Sequence, residues 1–372
     1  RHFEYGKICD SLDIVVMGNT KPRETEREKT RNRCVATNPF VEGGERNNVR
    51  IYPSGGGNKM MRFFKACKLA GKIMRNKKMD LITTQDTAFT GLIGYCLKKK
   101  FKTKLNIQIH GREEKLLNKI LFFSIKGSII KSADSIRVVS ERIKKWVVDK
   151  YKVNEKKIFK IPICAQCDTN MRMHANDTNN TNNTNNTNGK SDSHRDYFTI
   201  LTVGRLVKVK NIKLQIEALV DVLKIFPKTE LIIVGDGPER KSLEKLAGKL
   251  KIKKNVKFEG WQNELTDYYK KADLFVLTSD KEGWSMAVIE SMLSGCPVVM
   301  TEVGCAGEVV KNEQNGLVIP VNNKKALISA ISKMIADKDK RKKFAVNGME
   351  TIAGLPDKEK TLRMYKGMWG EN

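Results

Sequence analysis

Long apolar runs are missing from this 372-residue chain. No stretch approaches the roughly 20 apolar residues of a bilayer-spanning helix, and no secretory h-region opens the sequence. The first residue is Arg1 rather than Met, so the start reads as trimmed. Histidine is scarce: His2, His174 and His194 fall in tail or linker stretches, which leaves His110. Zinc-finger spacing, an aromatic RNA-binding strand and an Arg-rich arm are all lacking, so no nucleic-acid partner is expected. No carboxylate cluster suited to a divalent ion is present, and none is expected to be needed. The eight cysteines are scattered, and Cys164-Ala165-Gln166-Cys167 is a lone CxxC without a second pair. With no signal peptide in view, free thiols fit a reduced, cytoplasmic setting.

Acidic residues are also in short supply, which gives a net charge of +28. The imbalance is uneven. Residues 1–170 hold 37 Lys and Arg against 17 Asp and Glu, while residues 201–372 hold 30 against 22. Excess positive charge in the first half predicts attraction to a polyanion, for which nucleic acid and an anionic membrane surface are the two candidates. Solvated Lys-rich faces are the other reading of the same numbers.

What remains is a long alternation of strands and helices. An Asn/Thr tract from Asn176 to Asn188 offers nothing apolar to bury and marks a linker. The expected divisions are a first domain at 1–172, a linker at 173–196, a second domain at 197–352 and a C-terminal helix at 353–372 that packs back on the first. Strands are predicted at 12–17, 49–52, 81–84, 105–109, 135–139 and 158–162, then at 199–203, 230–234, 255–258, 273–277, 297–300 and 316–319. Helical spacing in Asn58 to Asn76 puts Met60, Phe63, Phe64, Cys67, Ala70 and Met74 on one stripe, read as core. Such alternation means two doubly wound α/β domains with parallel sheets, and ligands bind beyond the carboxyl ends of the strands.

Four motifs sit at such strand ends in the second half. Gly204-Arg205-Leu206 follows a strand, and Lys210 precedes the next helix, which puts two cations at the ligand edge. Val234-Gly235-Asp236-Gly237-Pro238 is a Gly-rich turn, and Glu259-Gly260-Trp261 forms a loop that could receive a base. Glu282-Gly283-Trp284-Ser285-Met286 opens a helix pattern that continues through Glu290. Free N–H groups at such a helix start suit a phosphate. Were the whole stretch helical, the two glutamates would lie about 12 Å apart along the axis and near one side. In the first half, His110 ends a strand and precedes a turn.

Together these pieces resemble the retaining nucleotide-sugar glycosyltransferases of family 4, which have the two-Rossmann GT-B fold with domains facing across a cleft. The resemblance is specific over Thr199 to Val321. It is looser in the first half, through 80–86, Gln108-Ile109-His110 and Ala133-Asp134-Ser135 to Ser140. It implies that Glu282 holds the donor sugar's hydroxyls and Glu290 the ribose. Gly204, Arg205, Lys210 and the N–H groups of Gly283, Trp284, Ser285 and Met286 would take the diphosphate. Gly235, Gly237, Glu259 and Trp261 would border the nucleoside, and His110 would lie near the reacting sugar. No cofactor is implied beyond the nucleotide-diphosphate sugar as co-substrate, and the acceptor would be a glycan or a lipid-linked sugar. A peripheral contact with anionic membrane would fit the charge, with helix Leu116 to Lys131 as a candidate. Two departures stand out: the family's opening strand and Gly-rich loop are not found, and Asn211 replaces the glycine common after the lysine. An epimerase on the same fold and a non-catalytic basic binding protein are the competing readings.

Overall fold

The computed structural model describes residues 8–17, 49–111, 119–164 and 196–370. The Asn/Thr tract, Cys34, Cys167, His2, His174 and His194 lie outside these residues. The chain forms two compact units: one of Arg1–Val138, Lys144–Ile161 and Glu359–Asn372, the other of Val139–Ile143 and Pro162–Lys358. Among the described residues, no helix is long and apolar enough to cross a membrane.

The first unit contains β1 (Leu12–Val16), β2 (Val49–Pro53), α1 (Lys59–Asn76), β3 (Leu81–Thr84), α2 (Phe89–Phe101), β4 (Lys104–Ile109), α3 (Lys119–Ser132), β5 (Ser135–Val138) and β6 (Ile158–Lys160). Helix α4 (Glu141–Tyr151) stands between β5 and β6. The strands are parallel, but they divide into a β1–β2 pair and a sheet ordered β3-β4-β5-β6. A cavity of about 190 Å³ separates them, lined in part by Val15, Met17, Ala66, Ile82 and Ile93.

Helix α1 starts where Asn58 Oδ1 accepts the Met61 N–H at 2.8 Å, an N-cap that satisfies one of the first-turn donors. Phe63, Ala66, Cys67, Ala70 and Met74 pack inward against Ile93 and Leu97. The expectation that Met60 and Phe64 share this core stripe is corrected: both are exposed. They lie about 40° apart on the helix wheel, on the flank beyond the stripe's edge.

Strand β4 alternates apolar Leu105, Ile107 and Ile109 with polar Asn106 and Gln108, yet all five are buried. The C-terminal helix numbered α11 below (Lys358–Trp369) covers the polar side. Met368 Sδ lies 3.3 Å from Asn106 Nδ2, and the Tyr365 hydroxyl lies 3.5 Å from Gln108 Oε1. A ladder of mutual hydrogen bonds (Thr83 to Asn106, Gln108 to Thr83, Asn106 to Ser135) makes this burial tolerable.

The second unit runs β7 (Phe198–Val203), α5 (Ile212–Ile225), β8 (Thr229–Val234), α6 (Arg240–Lys249), β9 (Val256–Gly260), α7 (Thr266–Lys271), β10 (Leu274–Leu277), α8 (Met286–Leu293), β11 (Val298–Thr301), β12 (Leu317–Ile319), α9 (Lys324–Ala336) and α10 (Lys338–Ala353). Its six strands are parallel in the order β12-β11-β10-β7-β8-β9. Burial of both sheet faces explains why the central strands read as nearly continuous apolar runs. The chain steps outward from β7 to β9, then returns to β10 on the other side of β7. Strands β7 and β10 therefore flank the topological switch point, where such sheets bind ligands.

An aspartate sets the register in each unit. Asp134 accepts the Leu105 N–H at 2.7 Å, and Asp273 accepts the Thr199 N–H at 2.9 Å. Each stands just before a strand and ties the start of the neighbouring one. The turn after β8 then locks the loop after β7: Gly204 N–H donates to Val234 and Leu206 N–H to Asp236, both at 2.9 Å. A Cβ on Gly235 would sit 2.0 Å from the Gly204 carbonyl oxygen, and one on Gly237 2.3 Å from that of Leu206. Only glycine permits this approach, because the opposing atoms are backbone. Gly235→Ala is expected to destabilise the second unit by about 1–3 kcal/mol, which lowers the melting temperature by about 2–4 °C per kcal/mol. A differential scanning calorimetry trace matching the parent would refute the clamp.

Candidate functional site

The loops after β7 and β10 meet at the switch point. Lys208–Lys210 forms one 3-10 turn, and Asn211 then adopts a left-handed backbone at φ 50 before α5 begins. Asparagine is among the few non-glycine residues that enter this region readily, so the departure from glycine is accommodated. Asn211 Nδ2 also donates to Asp280 Oδ1 at 3.2 Å, and Asp280 N–H donates to the Val209 carbonyl at 2.8 Å. Below them, buried Thr278 hydrogen-bonds the carbonyls of Lys210 and Asn211, and Gln215 donates to Thr278 at 2.9 Å. The two loops are thus held as one body.

On this base Lys210 Nζ lies 2.6 Å from Glu282 Oε1, with both side chains partly buried. The Ser279 hydroxyl donates to the same oxygen at 2.6 Å, and Thr301 holds the Ser279 carbonyl at 2.7 Å. Ser279 is a positioning residue that the sequence reading missed. The signal was a pair of hydroxyl residues, Thr278 and Ser279, directly after an all-apolar strand.

The idea that both glutamates ride one helix is corrected. Helix α8 begins at Met286, so Glu282 belongs to the preceding loop. A left-handed Ser285, at φ 79, separates loop from helix and has no capping hydrogen bond. Helix formation any earlier is opposed by the segment that follows β11. Gly304 packs so closely that a Cβ there would lie 2.4 Å from Ser285 Oγ and 3.0 Å from Glu282 Cβ, and Cys305 N–H donates to the Trp284 carbonyl at 3.1 Å. Burial pushes the Cys305 thiol up, with the Glu308 and Glu282 charges adding to the shift, so it is inert packing.

Among the described residues, the N–H groups of Gly283, Trp284, Ser285, Met286 and Ala287 donate to no carbonyl. Five successive donors at the start of α8, beside Lys210, form a cradle for an anion. The buried Ser285 Oγ also lacks a hydrogen-bond partner among the described residues. The Trp284 side chain is buried, so only its backbone can serve the cradle.

Glu290 lies one turn into α8. It accepts the Tyr269 hydroxyl at 2.9 Å. Burial holds that phenol protonated, well above its ordinary range, and the Glu290 charge reinforces it. Glu259 ends β9 and accepts from Tyr268 at 3.3 Å, while Trp261 is 73% exposed. Arg205 is exposed beside Gly204, and its guanidinium has no partner among the described residues. Gly204, Gly235 and Gly237 have the backbone role given above. The structure therefore brings Lys210, Glu282 and the 283–287 donors together, with Gly204 beside Lys210. Glu290 stands in α8, Glu259 near the end of β9 and Trp261 in the loop that follows it.

His110 belongs to the first unit, at the end of β4. Its Nε2 lies 3.0 Å from Gln85 Oε1 and its Nδ1 3.4 Å from Nη1 of buried Arg137. Arg137 is itself fixed by the Ile161 carbonyl at 2.9 Å and stacks near the Tyr365 ring at 5.5 Å. A guanidinium can only donate, so Nδ1 accepts and Nε2 carries the proton toward Gln85. These contacts fix the orientation of the imidazole ring.

Residues 183–351 match the family profile described as "Glycosyl transferases group 1". Over 195 residues the chain is 29% identical to the lipopolysaccharide core biosynthesis glycosyltransferase LpsE of Rhizobium meliloti (strain 1021), covering 52% of this chain and 56% of that protein. Over 147 residues it is 31% identical to an Escherichia coli protein, the UDP-Gal:alpha-D-GlcNAc-diphosphoundecaprenol alpha-1,3-galactosyltransferase, covering 39% and 38%. The matched stretch thus spans about half the length of LpsE and less of the second relative. Anabaena Alr3699/HepE, solved in complex with UDP, superposes with a TM-score of 0.68 at 17% identity over 86% of this chain and 85% of that one. That likeness gives the fold, which is GT-B.

Two measurements probe the site. A double-mutant cycle with Lys210→Met and Glu282→Gln should return a coupling of about 1–2 kcal/mol in urea unfolding; additive losses would mean the two groups do not interact. Nitrogen-15 spectra of the His110 imidazole should show a single Nε2-protonated form. Its conversion to a mixture is expected in Arg137→Lys, and identical spectra in the two proteins would show that Arg137 does not set the tautomer.

Proposed function

We propose that this chain, of which residues 183–351 match the group 1 glycosyltransferase profile, moves a sugar from a nucleotide-diphosphate donor to an acceptor hydroxyl with retention of configuration. The observation that carries this reading is the Lys210–Glu282 pair, 2.6 Å apart beside five N–H donors at the β7/β10 switch point. A cation and an N–H cradle fit a diphosphate, while a carboxylate fixed by Ser279 fits the hydroxyls of the sugar attached to it. The complex of HepE with UDP supports a nucleotide donor.

In the reaction, the bond from the anomeric carbon to the diphosphate oxygen breaks and a bond to the acceptor oxygen forms on the same face. The acceptor's proton passes to the departing diphosphate. Negative charge grows on that group, so Lys210, Arg205 and the donors of 283–287 stabilise the transition state more than the ground state. The helix end itself contributes only about 0.3–1 kcal/mol, against about 3–4 kcal/mol for one preorganised donor. The cation and nearby donors therefore dominate. Glu290 would take the ribose and Glu259 with Trp261 the base.

The acceptor is read as a glycan or lipid-linked sugar at the cytoplasmic face of a membrane. The relatives' names, one in lipopolysaccharide core synthesis and one acting on a diphosphoundecaprenol-linked sugar, support this.

A thermal-shift screen with uridine, guanosine and adenosine diphosphate sugars should find a class that stabilises the folded chain, by about 2.7 kcal/mol at a hundredfold excess over Kd. Lys210→Ala should then lower kcat for sugar transfer by about a hundredfold. Release of free nucleoside diphosphate without a glycosylated acceptor, or undiminished transfer by Lys210→Ala, would overturn the proposal.

A further inference from the structure

Exposed apolar side chains gather at one place in the first unit. Met60 (54% exposed), Met61 (47%) and Phe64 (62%) project from the first turns of α1, and Ile51 (41%) is exposed on β2 just before it. Helix geometry puts Met60, Met61 and Phe64 within about 100° of one another, on the side away from the Phe63, Ala66, Ala70 and Met74 stripe that enters the core. Farther along the same outer face come exposed Lys65, Lys68, Lys72 and Arg75. Between Val49 and Met79 the chain carries nine Lys and Arg and not one Asp or Glu. The helix thus has an apolar tip, a basic shaft, and an inner face already used by the core.

We propose that this face of α1 seats the protein on an anionic lipid bilayer, with Met60, Met61 and Phe64 entering the headgroup boundary and the cations of later turns lying against acidic headgroups. The chemistry selects this partner. A polyanion alone would attract the cations but would leave three large apolar side chains in water, whereas an anionic interface satisfies both. The side chains on which the helix Leu116 to Lys131 was named as a membrane candidate (Leu117, Ile120, Leu121 and Phe123) lie outside those the structure describes. The inference shares the membrane setting of the proposed function but not its donor site, so either can fail without the other.

The test is co-sedimentation of the full chain with phosphatidylcholine vesicles and with vesicles carrying about one-third phosphatidylglycerol. Binding to the second and not the first is expected, since each cation near an acidic surface is worth about 1 kcal/mol, or about fivefold. The triple change Met60→Ser, Met61→Ser, Phe64→Ser should weaken binding at least tenfold. The exposed pair Val346→Ser, Met349→Ser on α10, a control elsewhere on the surface, should not. Circular dichroism shows whether the triple variant is folded. Should it misfold, Phe64→Trp takes its place, and added fluorescence that brominated lipids quench is expected. Equal binding to both vesicles, full binding by a folded triple variant, or no quenching in Phe64→Trp would overturn the proposal. So would a shift from dimer to monomer in the triple variant with vesicle binding intact, which would give the face to a second copy of the chain.

Discussion

The second unit turns on one ion pair. Lys210 leaves the loop after β7 and Glu282 the loop after β10, and their 2.6 Å contact spans the point where strand order reverses. Neither loop is held by that contact alone. Gln215 and Thr278 fix the Lys210 carbonyl from below, and Ser279 grips the carboxylate oxygen that Lys210 also touches. Two charges placed partly out of water lose hydration, and the added hydroxyl donor offsets part of that loss. The pair marks where the unit concentrates opposite charge with little freedom to rearrange.

That rigidity comes largely from backbone contacts. Gly235 and Gly237 let the turn after β8 press on the Gly204–Leu206 loop, and Gly304 lets the segment after β11 press on the loop before α8. Four neighbouring loops thus hold their shapes largely through close backbone approach. The same packing keeps α8 from starting earlier, and so leaves the donors of 283–287 unpaired among the described residues. An early helix would have consumed them.

Much of this was legible in the residues. Apolar runs of four to six residues at regular spacing, each followed by a polar turn, locate the strands of both units to within about two residues. Glycine, a cation and a glutamate at strand ends mark the switch point, because few other residue types do this work there. The placement of Glu282 relative to Glu290 was not legible. Met286 to Leu293 and the residues before it look equally helical by pattern, and the break depends on Gly304 and Cys305, about twenty residues away in sequence. Ser279 was missed for a related reason: a hydroxyl after a strand is common, and its importance lies in the carboxylate it meets. In α1 the apolar spacing was real but too wide. Of the six positions read as one stripe, Met60 and Phe64 were left outside, next to exposed Met61.

The two units place their polar groups differently. In the second, the buried strand residues are mostly apolar, with scattered threonines, and charged groups gather at the carboxyl ends of strands. In the first, Thr83, Asn106, Gln108, Ser135 and Arg137 run through the sheet toward His110. Such a ladder costs free energy unless every member is paired, and α11 returns from the far end of the chain to cover it. Its side chains supply Tyr365 to Gln108 and Met368 to Asn106, so the last helix completes a network begun some 260 residues earlier. A polar ladder of this kind orients what stands at its end more firmly than an apolar sheet would. Arg137 cannot rotate without abandoning the Ile161 carbonyl and the Tyr365 ring, and so His110 inherits a fixed proton position. Orientation of one imidazole is the plainest gain that the buried polar face provides.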